Sequence, residues 1–197
     1  QVNLERIAQL ADRMGLITGE LRAFARKSSG EPCAVPVRTA LGNALAVLDS
    51  RIQQTGAKVD VQVAETEPVA WCDGNRLEQV LVNLINNALD AMAGCATLRV
   101  DIRCEQLAAT GGEQVHVQVR DLGPGLTEEA LAHLFEPFFT TKGSGDGLGL
   151  GLALSAGIVR ESGGTLSGAN HPEGGAVFHL ALPAAPRPDA DTAPDRP

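Results

Sequence analysis

Tyrosine is absent from this chain, and aromatic residues of all kinds make up only 3% of its 197 positions. A core so poor in rings has to be filled by Leu, Val, Ala and Ile, and with 44% hydrophobic residues there is enough of them for one good core and an accessory element. Basic residues are also short: 16 Lys and Arg face 24 Asp and Glu, a formal charge of -8 with no dense Lys/Arg run. That balance argues against a nucleic-acid surface. Cys33, Cys72, Cys95 and Cys104 show neither C-x-x-C nor Cys/His ligand spacing, so they read as scattered reduced thiols of a cytosolic domain. No apolar run is long enough to span a bilayer, and nothing resembles a signal peptide. The first residue is Gln1 rather than methionine, so the chain is expected to be a piece of a longer protein whose membrane segments would not show here.

What is present begins with a helical pattern. Ile7, Leu10, Met14, Ile17, Leu21 and Phe24 recur at spacings of three and four, a seam that wants partner helices, such as those of a second copy. "KSSGEP" (residues 27–32) reads as a break. From Cys33 onward the pattern predicts a short extended piece ("CAVPV"), an amphipathic helix over 38–56 closed by glycine, and strands at "KVDVQV" and "VAWC". Asp73 is placed to cap a helix reaching Met92, with Leu77, Val80, Leu81, Leu84, Ile85 and Leu89 as its buried set. Two strands, "TLRVDIRC" and "VHVQVRD", should turn at Gly111 and Gly112. A helix over 150–162 and strands "TLSGAN" and "AVFHLALP" complete an α/β body with sheet on one side and helices on the other. The segment beyond Pro183, "AAPRPDADTAPDRP", is proline-rich and polar, a disordered tail.

Four stretches carry chemistry. In "EQVLVNLINNALDAM" (residues 78–92), Asn83 and Asn87 share a helical face that Asp90 extends, with Asn86 to one side. Asparagine is an indifferent helix former, so three in an apolar helix need a reason. Amide oxygens suit Mg²⁺ beside phosphates; equally, they could bond neighbouring loops. In "DLGPGL" (121–126), Asp121 could accept from an exocyclic amine such as that of adenine, or D-x-G-x-G could be an ordinary strand-ending turn. "LFEPFFTTK" (134–142) gathers Phe135, Phe138 and Phe139, an aromatic anchor beside a movable loop or plain core, with Lys142 as a cation for phosphate. "GSGDGLGLGLALS" then sets glycine at every second position from Gly143 to Gly151, at the mouth of a helix. Unpaired N–H groups and the dipole of a helix N-terminus attract phosphate, and bare backbone lets it approach.

Taken in this order, the stretches resemble the N box, first glycine box, F box and second glycine box of sensor histidine kinases of the GHKL superfamily. "GGTL" and "GGAVF" resemble the later glycine motifs. The resemblance covers residues 33–183. It implies the Bergerat two-layer α/β sandwich, a mixed sheet plus helices, with ATP and Mg²⁺ held between the N-box helix and a flexible lid. It puts Asn83, Asn87, Asp121, Gly123, Gly125, Thr141, Lys142, Gly147, Leu148, Gly149, Leu150 and Gly151 around the nucleotide. Asn87 would be the Mg²⁺ ligand, Asp121 the adenine acceptor and the second glycine box the phosphate and lid segment. "LADRMGLITGELRAFARK" (10–27) resembles the second helix of a dimerisation and phosphoacceptor hairpin, making residues 1–30 part of that hairpin, 31–183 the ATP-binding domain and 184–197 the tail.

"FEPFFTTK" and "NHPEGGAVF" look most like kinases of C4-dicarboxylate transport, with nitrogen-regulatory kinases as near cousins. The implied partners are ATP, a second copy of the parent through the first helix and a response-regulator receiver domain, and the implied location is the cytoplasmic part of an inner-membrane sensor. The pattern also has departures. His116, His133, His171 and His179 all lack the setting of a phosphoacceptor, which is expected upstream of Gln1, so no catalytic residue beyond the ATP site is expected in this chain. Asp90 stands where some members carry a basic phosphate contact, which Lys142 would replace, and Ala176 stands where a hydroxyl is common. Hydrolysing relatives place a glutamate four residues before the Mg²⁺ asparagine; here Asn83, an amide, cannot act as base. Weak ATPase activity is therefore expected. The alternatives are an energy-coupling ATPase of gyrase or chaperone type and a dimerisation module without nucleotide.

Overall fold

The computed structural model describes residues 30–95, 97, 99–109, 112–142 and 148–186. The expected first helix, the tail from residue 187 and Gly111, Gly143, Gly145 and Gly147 lie outside the described residues. The order is β1 (Cys33–Pro36), α1 (Val37–Thr55), β2 (Lys58–Val63), β3 (Val69–Cys72), α2 (Gly74–Ala91), β4 (Arg99–Ala109), β5 (Gly112–Asp121), α3 (Glu128–Ala132), α4 (Gly151–Glu161), β6 (Thr165–Asn170) and β7 (Ala176–Pro183).

Each larger helix follows its apolar spacing. α1 buries Val37, Ala40, Leu41, Ala44 and Leu48, and it stops at Gly56, whose φ of 70° supplies the left-handed turn that returns its N–H to Ile52 and Gln53. α2 is capped by Asp73, whose Oδ1 accepts from the N–H groups of Asn75 (3.0 Å) and Arg76 (3.5 Å). All six apolar residues expected to face inward from α2 are buried, and Ala88 joins them. At about 1.5–3 kcal/mol for each fully buried aliphatic side chain, this stripe is a principal reason the helix lies where it does.

The main sheet has the order β2-β4-β5-β7-β6. β2 runs parallel to β4 and the remaining neighbours are antiparallel, so the sheet is mixed. Val100, Ile102 and Cys104, then Val115, Val117 and Val119, then Phe178, Leu180 and Leu182 alternate onto one face and meet the helices in a single core. This is the two-layer α/β sandwich that the resemblance implies. β1 and β3 form a separate antiparallel pair. Burial pushes the thiols of Cys72 and Cys104 up, to about 11 and about 12, so both stay protonated in the core.

Three details add to or correct the sequence reading. β4 continues through Ala109 and pairs with β5 as far as Ala109 opposite Gly112, a ribbon with little buried surface and hence no apolar alternation to betray it. β2 is an edge strand whose Val59 and Val63 pack part-buried against the core while Val61 between them is exposed. Beyond Pro183 the chain stays tied down for two more residues: Ala184 and Ala185 donate to Glu113 O (2.9 Å) and Val69 O (2.7 Å). Among the described residues no helix is long and apolar enough to cross a membrane.

Candidate functional site

α2 is the common wall of the site. Its partly exposed face presents Asn83, Asn87 and Asp90 at helical spacing, and each meets a different element. Asn83 donates from Nδ2 to Ser155 Oγ of α4 at 2.9 Å, and its amide lies where a Cβ on Gly151 would have to go. Asn87 Oδ1 accepts from Lys142 Nζ at 3.1 Å, and Asp90 Oδ2 takes the same ammonium at 2.5 Å. The other Asp90 oxygen is held by Arg51 of α1, which also reaches Asn86 Oδ1. At the end of the helix the Ala91 carbonyl closes on Gly123, leaving 2.9 Å for a Cβ there. Two helices, α1 and α4, and two loops, at Lys142 and Gly123, thus converge on one helix.

At one end stands Asp121, the last residue of β5, whose carboxylate is buried. Its Oδ1 accepts from Gly123 N–H (2.8 Å) and Ala176 N–H (3.2 Å). Burial raises its pKa, while those two N–H groups and the charge of Arg120 pull it back down. The turn that follows is clamped by Asn170 at the end of β6: Oδ1 accepts from Leu126 N–H (2.7 Å) and Nδ2 donates to Leu126 O (2.8 Å). Gly125 (φ 81°) lies against that same amide. Gly175 (φ 80°) packs so closely on the Asp121 carbonyl that no Cβ fits. An ordinary turn would not need this much enforcement.

At the other end α4 begins at Gly151, with Leu150 as N-cap and no side chain capping it. α2 and α3 are capped by Asp73 and Thr127, and α1 gives its first N–H groups to Pro68 O and Glu67 Oε1. Among the described residues, only α4 leaves its leading N–H groups without such partners, which is the property an anion site requires. The Leu150 side chain is fully buried, so only its main chain can meet a ligand. Gly149 (φ 68°) is pinned between the main chains of Phe138 and Phe139, and its carbonyl accepts from Phe138 N–H at 3.1 Å. Leu148 is half-buried just before it, and Thr141 is exposed beside Lys142. Gly147 lies outside the described residues.

The expected aromatic anchor takes a different form. Phe138 is 68% exposed and holds φ at 69°, so it is not core, whereas Phe135 and Phe139 are half-buried. The second glycine box is fastened here by main chain, not by ring burial. Arg51, Ser155 and Asn170 were missed in the sequence. Ser155 could have been found from its place one turn after Gly151; nothing local marks Arg51 or Asn170. The four histidines lie on β5, after α3, after β6 and on β7, none of them on α2 or α4.

The donor set fits Mg²⁺ and a nucleotide. A neutral amide oxygen at Asn87 already receives a cation, a buried carboxylate stands at one end, and an uncapped helix start stands at the other.

Comparison with known proteins bears on the nucleotide. Residues 72–186 match the family model described as histidine kinase-, DNA gyrase B- and HSP90-like ATPase. The chain is 41% identical over 185 residues to the C4-dicarboxylate transport sensor protein DctB of Pseudomonas aeruginosa, covering 93% of this chain and 30% of that protein. In three dimensions it resembles a nucleotide-free catalytic domain of histidine kinase ThkA (26% identity, 80% of this chain and 100% of that one, TM-score 0.66). It also resembles full-length ShkA in complex with AMPPNP (26% identity, 90% of this chain and 36% of that one, TM-score 0.70). The chain therefore spans less than a third of the length of DctB.

Proposed function

Because the chain belongs to the histidine kinase-, DNA gyrase B- and HSP90-like ATPase family, we propose that it is the ATP-binding catalytic part of a sensor histidine kinase. The observation that carries this reading is the face of α2 that joins the buried Asp121 to the uncapped start of α4 through Asn83, Asn87 and Asp90.

The roles follow from chemistry. Asp121, with Oδ1 already engaged, offers Oδ2 to the exocyclic amine of adenine, and Gly123 and Gly125 keep the approach open. Asn87 holds Mg²⁺, with Asn83 lining the same space; the ion would neutralise phosphate charge. The main chain of Gly147, Gly149, Leu150 and Gly151 receives the phosphates, with Thr141, Lys142 and Leu148 along their edge. These groups position the triphosphate and balance its charge. A histidine nitrogen on the hairpin attacks the γ-phosphorus, the bond to the bridging oxygen breaks, and ADP leaves. The phosphoryl group then passes to an aspartate of a response regulator.

Hydrolysis is disfavoured at Asn83. It is an amide that donates to Ser155, and it has no means of taking a proton from water. The similarity to DctB supports a C4-dicarboxylate sensing system. The further reading is of the cytoplasmic part of an inner-membrane sensor that dimerises through its hairpin. The test is calorimetric titration of the 197-residue chain with AMPPNP and Mg²⁺, followed by incubation with labelled ATP and a hairpin domain bearing its histidine. One nucleotide bound and acid-labile label on the hairpin are expected. A folded chain that takes up no nucleotide, or that hydrolyses ATP steadily without transfer, overturns the reading.

A further inference from the structure

We propose that Lys142 is a built-in stand-in for the divalent cation: its ammonium holds Asn87 and yields only to a metal that arrives with a nucleotide. The inference rests on the nucleotide reading above, because it concerns the oxygen assigned there to Mg²⁺.

Lys142 Nζ is 3.1 Å from Asn87 Oδ1 and 2.5 Å from Asp90 Oδ2, so it sits on the very atom expected to bind the metal. The contact is tethered. Arg51 holds the second Asp90 oxygen and Asn86 Oδ1, which fixes the carboxylate that in turn holds the lysine. The lysine side chain keeps 34% of its exposure, so it can leave without disturbing the core. Charge then decides what can replace it. Arg51 and Lys142 already outweigh Asp90 by one positive charge, so a free divalent ion approaching Asn87 meets net repulsion. A nucleotide reverses the balance, because its phosphates draw the ammonium away from Asn87 and deliver the metal as a neutralised pair. Asp90 is thereby a positioning residue for Lys142 rather than a lost phosphate contact, and the site selects metal–nucleotide over metal alone.

The test uses Mn²⁺ without nucleotide, followed by the electron paramagnetic resonance of the free ion. The parent chain should leave Mn²⁺ free, whereas Lys142→Met, with Asn87 and Asp90 released, should bind it about tenfold more tightly or better. Asp90→Asn added to that variant should abolish the gain. Equal Mn²⁺ binding by parent and Lys142→Met overturns the proposal. A second measurement needs no change at Lys142. The chain has only three lysines, at 27, 58 and 142, so ¹³Cε labelling resolves them. In the parent the Lys142 ε-methylene protons should be inequivalent, should collapse to one signal in Asp90→Asn, and should shift with Mg²⁺ plus AMPPNP but not with Mg²⁺ alone. A single averaged signal indifferent to Asp90→Asn overturns the tether. Failure of the parent to bind AMPPNP with Mg²⁺ would instead sink the nucleotide reading, and the lysine signal separates that case.

Discussion

At Asp121 the main-chain N–H groups of Gly123 and Ala176 already occupy one carboxylate oxygen, Asn170 ties the following turn, and Gly175 fills the space behind. At the start of α4, among the described residues, no side chain caps the helix, and the nearby ammonium of Lys142 is borrowed by Asn87 and Asp90. Folding alone completes the first region, so a ligand has one oxygen left to satisfy. The second keeps its charge unsettled and its helix end bare. The contrast implies that damage at the first end costs the fold, and damage at the second costs binding.

The largest effect should come from Gly175→Val. A side chain there needs φ near 80° and collides with the Asp121 carbonyl, so a stability loss of about 3 kcal/mol or more is expected by urea denaturation. A loss below about 1 kcal/mol would show that the Asp121 end is looser than described. Asn87→Ala should do the reverse. Removing a partly exposed amide leaves the core untouched, so stability should change by less than about 1 kcal/mol, while Mg²⁺-dependent AMPPNP affinity falls by about 30-fold or more. Equal damage to fold and binding in both variants would erase the contrast.

The same contrast explains what could be read from the chain alone. The α2 stripe and its Asp73 cap were legible because both signals lie within one or two turns of the residues they organise. The glycine boxes were legible because bare backbone at a helix mouth has few other uses. Arg51 was not, since it lies on α1 and its partners Asn86 and Asp90 lie on α2, 35 and 39 residues away, and meet it only after packing. Asn170 was hidden likewise, closing a turn 44 residues back in the chain. Phe138 misled because three clustered phenylalanines suggest an anchor made by their rings, or plain core, whereas its strained main chain serves Gly149 and its ring stays in solvent.

Asp121→Asn probes the satisfied end more gently. Asn keeps an oxygen for Gly123 and Ala176 but turns the free position into a donor, which repels an exocyclic amine. AMPPNP affinity should fall about tenfold, with little stability lost at neutral pH. The pH dependence gives a second reading. Burial raises the folded-state pKa of Asp121, so the folded chain holds that proton more tightly than the unfolded one. Its contribution is complete below the ordinary aspartate range near about 4, and it is lost as pH rises through the folded-state value. The parent should therefore shed some stability across that window, and Asp121→Asn should lack that component. Identical pH profiles would mean that the carboxylate is not held in the buried state described.

Ser155→Ala should have the smallest effect, and it tests the seam where the two ends of the cleft share α2. Ser155 is buried and its Oγ accepts from Asn83 Nδ2, so truncation leaves that amide donor without its partner. The expected loss is about 1 kcal/mol of stability, restored in part by Thr if the extra methyl fits. Nucleotide affinity should change by no more than about threefold, because Gly151 still rests on the Asn83 amide and the helix start keeps its N–H groups. If affinity instead collapsed while stability held, Asn83 would be set by Ser155 for the ligand rather than for packing. The amide would then belong with Asn87 on the side of the cleft that folding leaves unfinished.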